Sequence, residues 1–226
     1  MIGLSPLTLV VRAIVLLTTI PVHEAAHAWA ADRMGDPTAR YKGRLTLNPM
    51  AHFDLVGSVA LLLTGIGWAK PVPINPINFD DSKKGMALSA AAGPAANLCI
   101  ATLSMMIMKF ILYAGGWQAF YSSTFTGSLW STFYYLFSTM CSINISLAIF
   151  NLMPFPPFDG SRIFNYFLPD KYYFKIMEYE RYIFIGLLLV LYMGLLDRPL
   201  SFLSGIVYFA LDKLTFFLDK LFMIIF

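Results

Sequence analysis

Of the 226 residues, 58% are hydrophobic and 13% charged, against roughly 45–50% and 25% in a soluble globular domain. That balance excludes a soluble domain and fits an integral membrane protein. The net charge of +3 comes from basic residues spread over connections, with none of the runs or stripes that nucleic-acid binding needs.

The length accommodates one domain, residues 1–226, with a core over about 5–160 and C-terminal helices over about 182–226. The N-terminus lacks the basic n-region and small-residue cleavage site of a signal peptide, so its apolar run is expected to remain as a span. Residues 7–31 form the first span, long enough for a bilayer core of about 30 Å at 1.5 Å per residue. Residues 55–68 are apolar but interrupted by Gly57, Gly65 and Gly67, which suits a re-entrant or interfacial piece. "KPVPINP" cannot be helix interior because Pro71, Pro73 and Pro76 recur too closely, and it reads as an extended or edge segment.

Residues 86–113 make a second span carrying "GPAAN", and residues 129–152 a third without charge. A short fourth follows at 182–196. In the last apolar segment Asp212 and Asp219, like Lys213 and Lys220, stand seven apart, nearly one helix face; the stripe either lies in the interface or faces protein. The fold class expected is all-α polytopic, with about five to six transmembrane helices and a short membrane-associated extended or β segment. Cys99 and Cys141 lie within apolar spans and read as small buried residues.

Lys and Arg concentrate on the cytoplasmic side of a membrane protein. Arg33, Arg40, Lys42, Arg44, Lys70, Lys83 and Lys84 lie between the first two long spans, and Arg162, Lys171, Lys175 and Arg181 follow the third. Both stretches read as cytoplasmic. The connection over 114–128 has no charge and carries Trp117 and Tyr121, so it reads as external.

"HEAAH" near the end of the first span carries the chemistry. His23 and His27 are four residues apart, about 40° of helix rotation, and can direct both imidazoles at one ion. Glu24, beside that face, is placed to take a proton from water activated by a metal. Polar residues packed between helices are the competing explanation, but ionisable groups at membrane depth are costly and default to function. Two histidines leave a tetrahedral zinc in need of a third protein ligand. Asp159 in "NLMPFPPFDG" is the best candidate: three prolines forbid regular helix there, and irregular backbone at membrane depth lines cavities or is buried. A simple turn-capping Asp is the alternative at that position. His52 and Asp54 stand open between a site contact and an ordinary loop role. Gly93, Pro94 and Asn97 bend or pack a span, with a polar contact near the site as the sharper reading for Asn97.

Together "HEAAH", "GPAAN" and "NLMPFPPFDG", with "RLTLNPMAH" and "GWAKPVPINP", resemble the site-2 protease family of intramembrane zinc metalloproteases, in its small bacterial form without a PDZ domain. The resemblance runs over about residues 18–160. It implies an enzyme of the inner membrane, active towards the cytoplasmic side, that cuts the transmembrane segment of a single-span membrane protein. It further implies one Zn2+ per chain on His23, His27 and Asp159, Glu24 as general base and Asn151 as the oxyanion donor. An extended edge at Val72, Pro73 and Ile74, beside the zinc, would pair with an unwound substrate by strand addition. Two other classes are a membrane zinc transporter, which needs further ligands along its path, and a zinc-stabilised scaffold, which needs a closed four-ligand site.

Overall fold

The computed structural model describes residues 5–64, 68–120, 124–169, 171–172 and 179–225. Every regular element among them is helical: α1 (Pro6–Arg33), α2 (Thr38–Tyr41), α3 (Pro49–His52), α4 (Leu55–Thr64), a 3-10 turn (Pro76–Asn78), α5 (Ser82–Phe120), α6 (Phe125–Asn151), α7 (Asp159–Asn165), α8 (Glu180–Tyr192), α9 (Asp197–Leu214) and α10 (Phe216–Ile225). No strand forms among the described residues, and residues 68–75 run as non-helical chain where the prolines forbid a helix.

Three helices are long and apolar enough to cross a membrane: α1 with 28 residues, the Ser82–Gly115 part of α5 with 34, and α6 with 27. Their lengths at 1.5 Å per residue exceed the roughly 30 Å of a bilayer core. The pair α9 and α10 adds a fourth if its 48° bend is taken as a break within one span. The expected five to six spans are not reached by length and composition among the described residues. The 10-residue α4 and the 13-residue α8 cover only about 15–20 Å. Gly65 and Gly67 of the proposed re-entrant piece, with much of the 170–178 connection, lie outside the described residues.

Local chemistry starts the long helices. Ser5 accepts the Thr8 amide ahead of Pro6, whose missing N–H costs nothing in the first turn, and Thr124 accepts the Gly127 amide at the start of α6. α5 is the central helix and packs against α1, α6 and α7. Its Ala101, Met105 and Met108 meet Cys141, Ile145 and Ile149 of α6 and Leu211 of α9 in the main apolar cluster. Cys141 is buried there, whereas Cys99 is exposed, so only one of the two cysteines has the buried position expected. Across the bundle, Asn144 of α6 donates to the Thr19 hydroxyl of α1 at 2.9 Å, a polar tie in an apolar setting.

The seven-residue Asp repeat faces protein. Lys109, buried on α5, meets Asp212 at 2.9 Å and Asp219 at 2.6 Å, so both carboxylates converge on one ammonium despite the bend at Thr215. The lysines of the same repeat lie over aromatic rings: Lys213 over Phe209 and Phe216, and Lys220 over Phe216. The Lys109 cluster thereby fixes how the C-terminal helix pair docks on α5.

Removing one partner of a buried ion pair leaves the others uncompensated. Lys109→Met is therefore expected to cost about 3 kcal/mol, read as a lower melting temperature in detergent. The triple variant Lys109→Met, Asp212→Asn, Asp219→Asn is expected to regain most of that loss.

Candidate metal centre

His23 and His27 stand one turn apart on α1, and their Nε2 atoms approach to 3.0 Å. Asp159, the first residue of α7, brings Oδ2 to 3.4 Å from His23 Nε2 and 3.2 Å from His27 Nε2. Two zinc bonds of about 2.05 Å at the tetrahedral angle separate their ligand atoms by about 3.3–3.4 Å. The two Asp159 contacts lie within about 0.2 Å of that edge and the imidazole pair about 0.3 Å inside it, so the donor set fits the metal with a small adjustment. Among the described residues this is the one group of three His, Cys, Asp or Glu able to hold an ion.

A backbone acceptor sets the His27 tautomer. His27 Nδ1 lies 2.7 Å from the Ser89 carbonyl, which can only accept, so Nδ1 carries the proton and Nε2 offers its lone pair. With 17% of its side chain exposed, Asp159 is the most open of the three candidate ligands.

Two glycines make the convergence possible. A Cβ on Gly93 of α5 would lie 2.3 Å from His27 Nε2 and 2.6 Å from His23 Cε1, so only glycine lets this helix wall the pair of imidazoles. A Cβ on Gly160 would lie 2.3 Å from the Leu152 carbonyl oxygen, which is how the chain after α6 folds tightly enough to return Asp159 to α1. The sequence marked Gly93 as a bend or packing position; its contact with both imidazoles was invisible without the fold. The Ser89 carbonyl carries no sequence signal, since any residue supplies one.

Asn97 lies one turn beyond Gly93 on α5, fully buried, and neither amide atom has a hydrogen bond among the described residues. A buried amide without partners is uncommon enough to require an explanation. Asn151, at the end of α6, donates its side-chain amide to the Leu147 carbonyl at 2.9 Å. His52 closes the short α3: its Nε2 donates to the Thr46 carbonyl at 2.8 Å, its Nδ1 lies 3.5 Å from the Arg44 guanidinium, and it is fully buried. Asp54 accepts the Gly57 amide at 2.8 Å and caps α4.

Glu24 is met by backbone. The Val72 N–H donates to Glu24 Oε2 at 3.1 Å, which brings the proline-rich segment beside the site as a half-buried strap; Pro73 and Ile74 follow in it. At one end, Lys70 N–H donates to the His52 carbonyl at 2.9 Å and Arg44 donates to the Lys70 carbonyl. At the other, Asn75 N–H donates to Asp36 Oδ2 at 2.7 Å and the Asn78 side chain to Asp36 Oδ1 at 2.6 Å. Asp36 is fully buried and also accepts from the Thr38 amide and hydroxyl.

A model of the family described as "Peptidase family M50" matches residues 11–193. The chain is 36% identical over 177 residues to "Putative zinc metalloprotease YwhC" of Bacillus subtilis (strain 168), an alignment covering 78% of each protein. It is 27% identical over 149 residues to "Putative zinc metalloprotease Rip2" of Mycolicibacterium smegmatis, covering 64% of this chain and 52% of that protein. No solved structure matches.

The geometry sets two expectations. Gly93→Ala should weaken zinc binding on the order of 10- to 100-fold, measured as metal retained on dialysis against a chelator. Gly205→Ala, where a Cβ meets nothing within 4 Å, should retain it. Burial raises the Asp36 carboxyl, but donors from Thr38, Asn75 and Asn78 outweigh that and leave it below its ordinary value. A lowered folded pKa gives stability that is present above about pH 4 and lost as pH falls through the folded value. Melting temperatures taken from pH 6 to pH 3 should therefore fall more steeply for wild type than for Asp36→Asn.

Proposed function

The chain belongs to peptidase family M50, the site-2 protease family its motifs resemble, and we propose that it hydrolyses peptide bonds within or near the transmembrane segment of single-span membrane proteins. The observation that carries this reading is the meeting of His23, His27 and Asp159 at tetrahedral spacing, with Glu24 on the same helix beside them. Those three residues would hold one zinc per chain, which when bound would supply Lewis acidity towards water and the scissile carbonyl. Glu24 takes the proton from the attacking water and returns it to the leaving amine. Asn151 keeps a second amide hydrogen beyond the one given to Leu147, and that hydrogen is available to the developing oxyanion.

Substrate contacts belong to the strap and α5. Pro71 and Pro73 have no N–H and Val72 gives its own to Glu24, so within residues 71–74 only Ile74 has an amide donor to offer an unwound substrate strand. The orphaned amide of Asn97 is suited to a polar contact with substrate near the metal. The bilayer is the medium, and the basic connection from Arg33 to Lys84 argues for a site towards the cytoplasmic face of the inner membrane.

A transport path or a closed structural zinc site would need further ligands. None joins the three among the described residues.

Glu24→Gln tests the assignment. It is expected to retain zinc and to lose about 10²–10⁴-fold in cleavage of a single-span model substrate in proteoliposomes. Undiminished cleavage would remove Glu24 from its role, and zinc uptake by wild-type vesicles without cleavage would favour transport.

A further inference from the structure

Building on the reading of Glu24 as the base, we infer that residues 70–75 are a pinned strap whose Val72 amide sets the orientation of the Glu24 carboxylate, making Asp36, Arg44 and His52 positioning residues for catalysis. A glutamate on a helix surface has three rotatable bonds, and a base that samples them all is seldom in line with its water. Glu24 is only half-buried, so packing alone does not hold it. Among the described residues its backbone partner is the Val72 amide at 3.1 Å, a charge-assisted bond that engages Oε2 and leaves Oε1 to accept the proton from water.

A backbone donor orients a carboxylate only if the backbone itself is fixed. Two features fix this one. Pro71, Pro73 and Pro76 restrict the strap's dihedral angles. Its ends are bound by polar side chains that are almost wholly buried: Asp36 at 0% exposure holds Asn75, Arg44 at 7% holds the Lys70 carbonyl, and His52 at 0% braces Arg44 while its own carbonyl takes the Lys70 amide. Both pins fall within three residues of Val72. Burying an acid, a guanidinium and an imidazole merely to tidy a surface loop would be a costly arrangement. Holding the donor opposite the base gives all three a common purpose.

The decisive variant removes a single hydrogen. Val72→Pro deletes the N–H in a strap already rich in proline, while Val72→Ala keeps it. With a labelled single-span peptide in detergent micelles, Val72→Pro is expected to lower kcat about 10- to 100-fold, with KM within about twofold and zinc content unchanged. Val72→Ala keeps the N–H and should retain at least about five times the kcat of Val72→Pro. Asp36→Ala gives the same split from the far end, and amide exchange of the peptide spanning residues 70–78 should accelerate in it. Wild-type kcat in Val72→Pro, or an equal loss in Val72→Ala, overturns the inference. If Val72→Pro fails to fold, Asp36→Ala decides: unchanged kcat, or a loss matched by loss of zinc, overturns it equally. Glu24→Gln run alongside separates the two levels. An active Glu24→Gln removes the base assignment, whereas an inactive Glu24→Gln with a fully active Val72→Pro removes only the strap's role.

Discussion

One constraint governs this molecule: the carboxylate of Asp159 must meet the imidazoles of His23 and His27, 132 residues away in the chain beyond His27, inside an apolar bundle. Ionisable groups are costly at membrane depth, and three together are tolerable where each compensates the others or a cation does. Much of the surrounding structure follows from that meeting. α5 must pass close enough to wall the two rings, which requires Gly93, and the chain after α6 must double back, which requires Gly160 against the Leu152 carbonyl. The Ser89 carbonyl then selects the His27 tautomer that leaves Nε2, the nitrogen facing His23 and Asp159, without a proton.

Away from the centre, polar groups tie helices that apolar packing alone would leave free to slide. Lipid is as apolar as leucine, so transmembrane helices associate through close packing and polar contacts. Asn144 to Thr19 links α6 with α1, and Lys109 with Asp212 and Asp219 links α5 with the C-terminal pair. The central helix takes part in both the metal centre and the C-terminal ion cluster. Asn97 stands apart, as a fully buried amide one helical turn beyond Gly93 with no partner among the described residues.

Outside the long helices the non-helical strap is held with equal care. Its ends are bound by buried side chains from the connection after α1, and its middle touches the residue assigned as base. Two long spans frame the candidate metal site, and a short pinned loop reaches the carboxylate beside it. Loops set on a rigid scaffold commonly carry chemistry in this way.

Composition and hydropathy determined the membrane class and the three long helices, because the bilayer imposes a length and an apolarity that any sequence must display. The spacing of "HEAAH" determined that two imidazoles share a face, since helix geometry is local. Other features were not legible. The seven-residue Asp repeat established a stripe but not its partner, and Lys109 became that partner only once α5 and the C-terminal pair were packed. His52 stayed open in the sequence and proved to be a brace for Arg44 and Lys70. The Val72 amide and the Ser89 carbonyl are backbone groups, identical in every residue that could stand there, so their roles are set by position in space alone. Sequence fixes what is periodic and local; tertiary structure decided which distant backbone and side-chain atoms meet, because those distances depend on how whole helices pack.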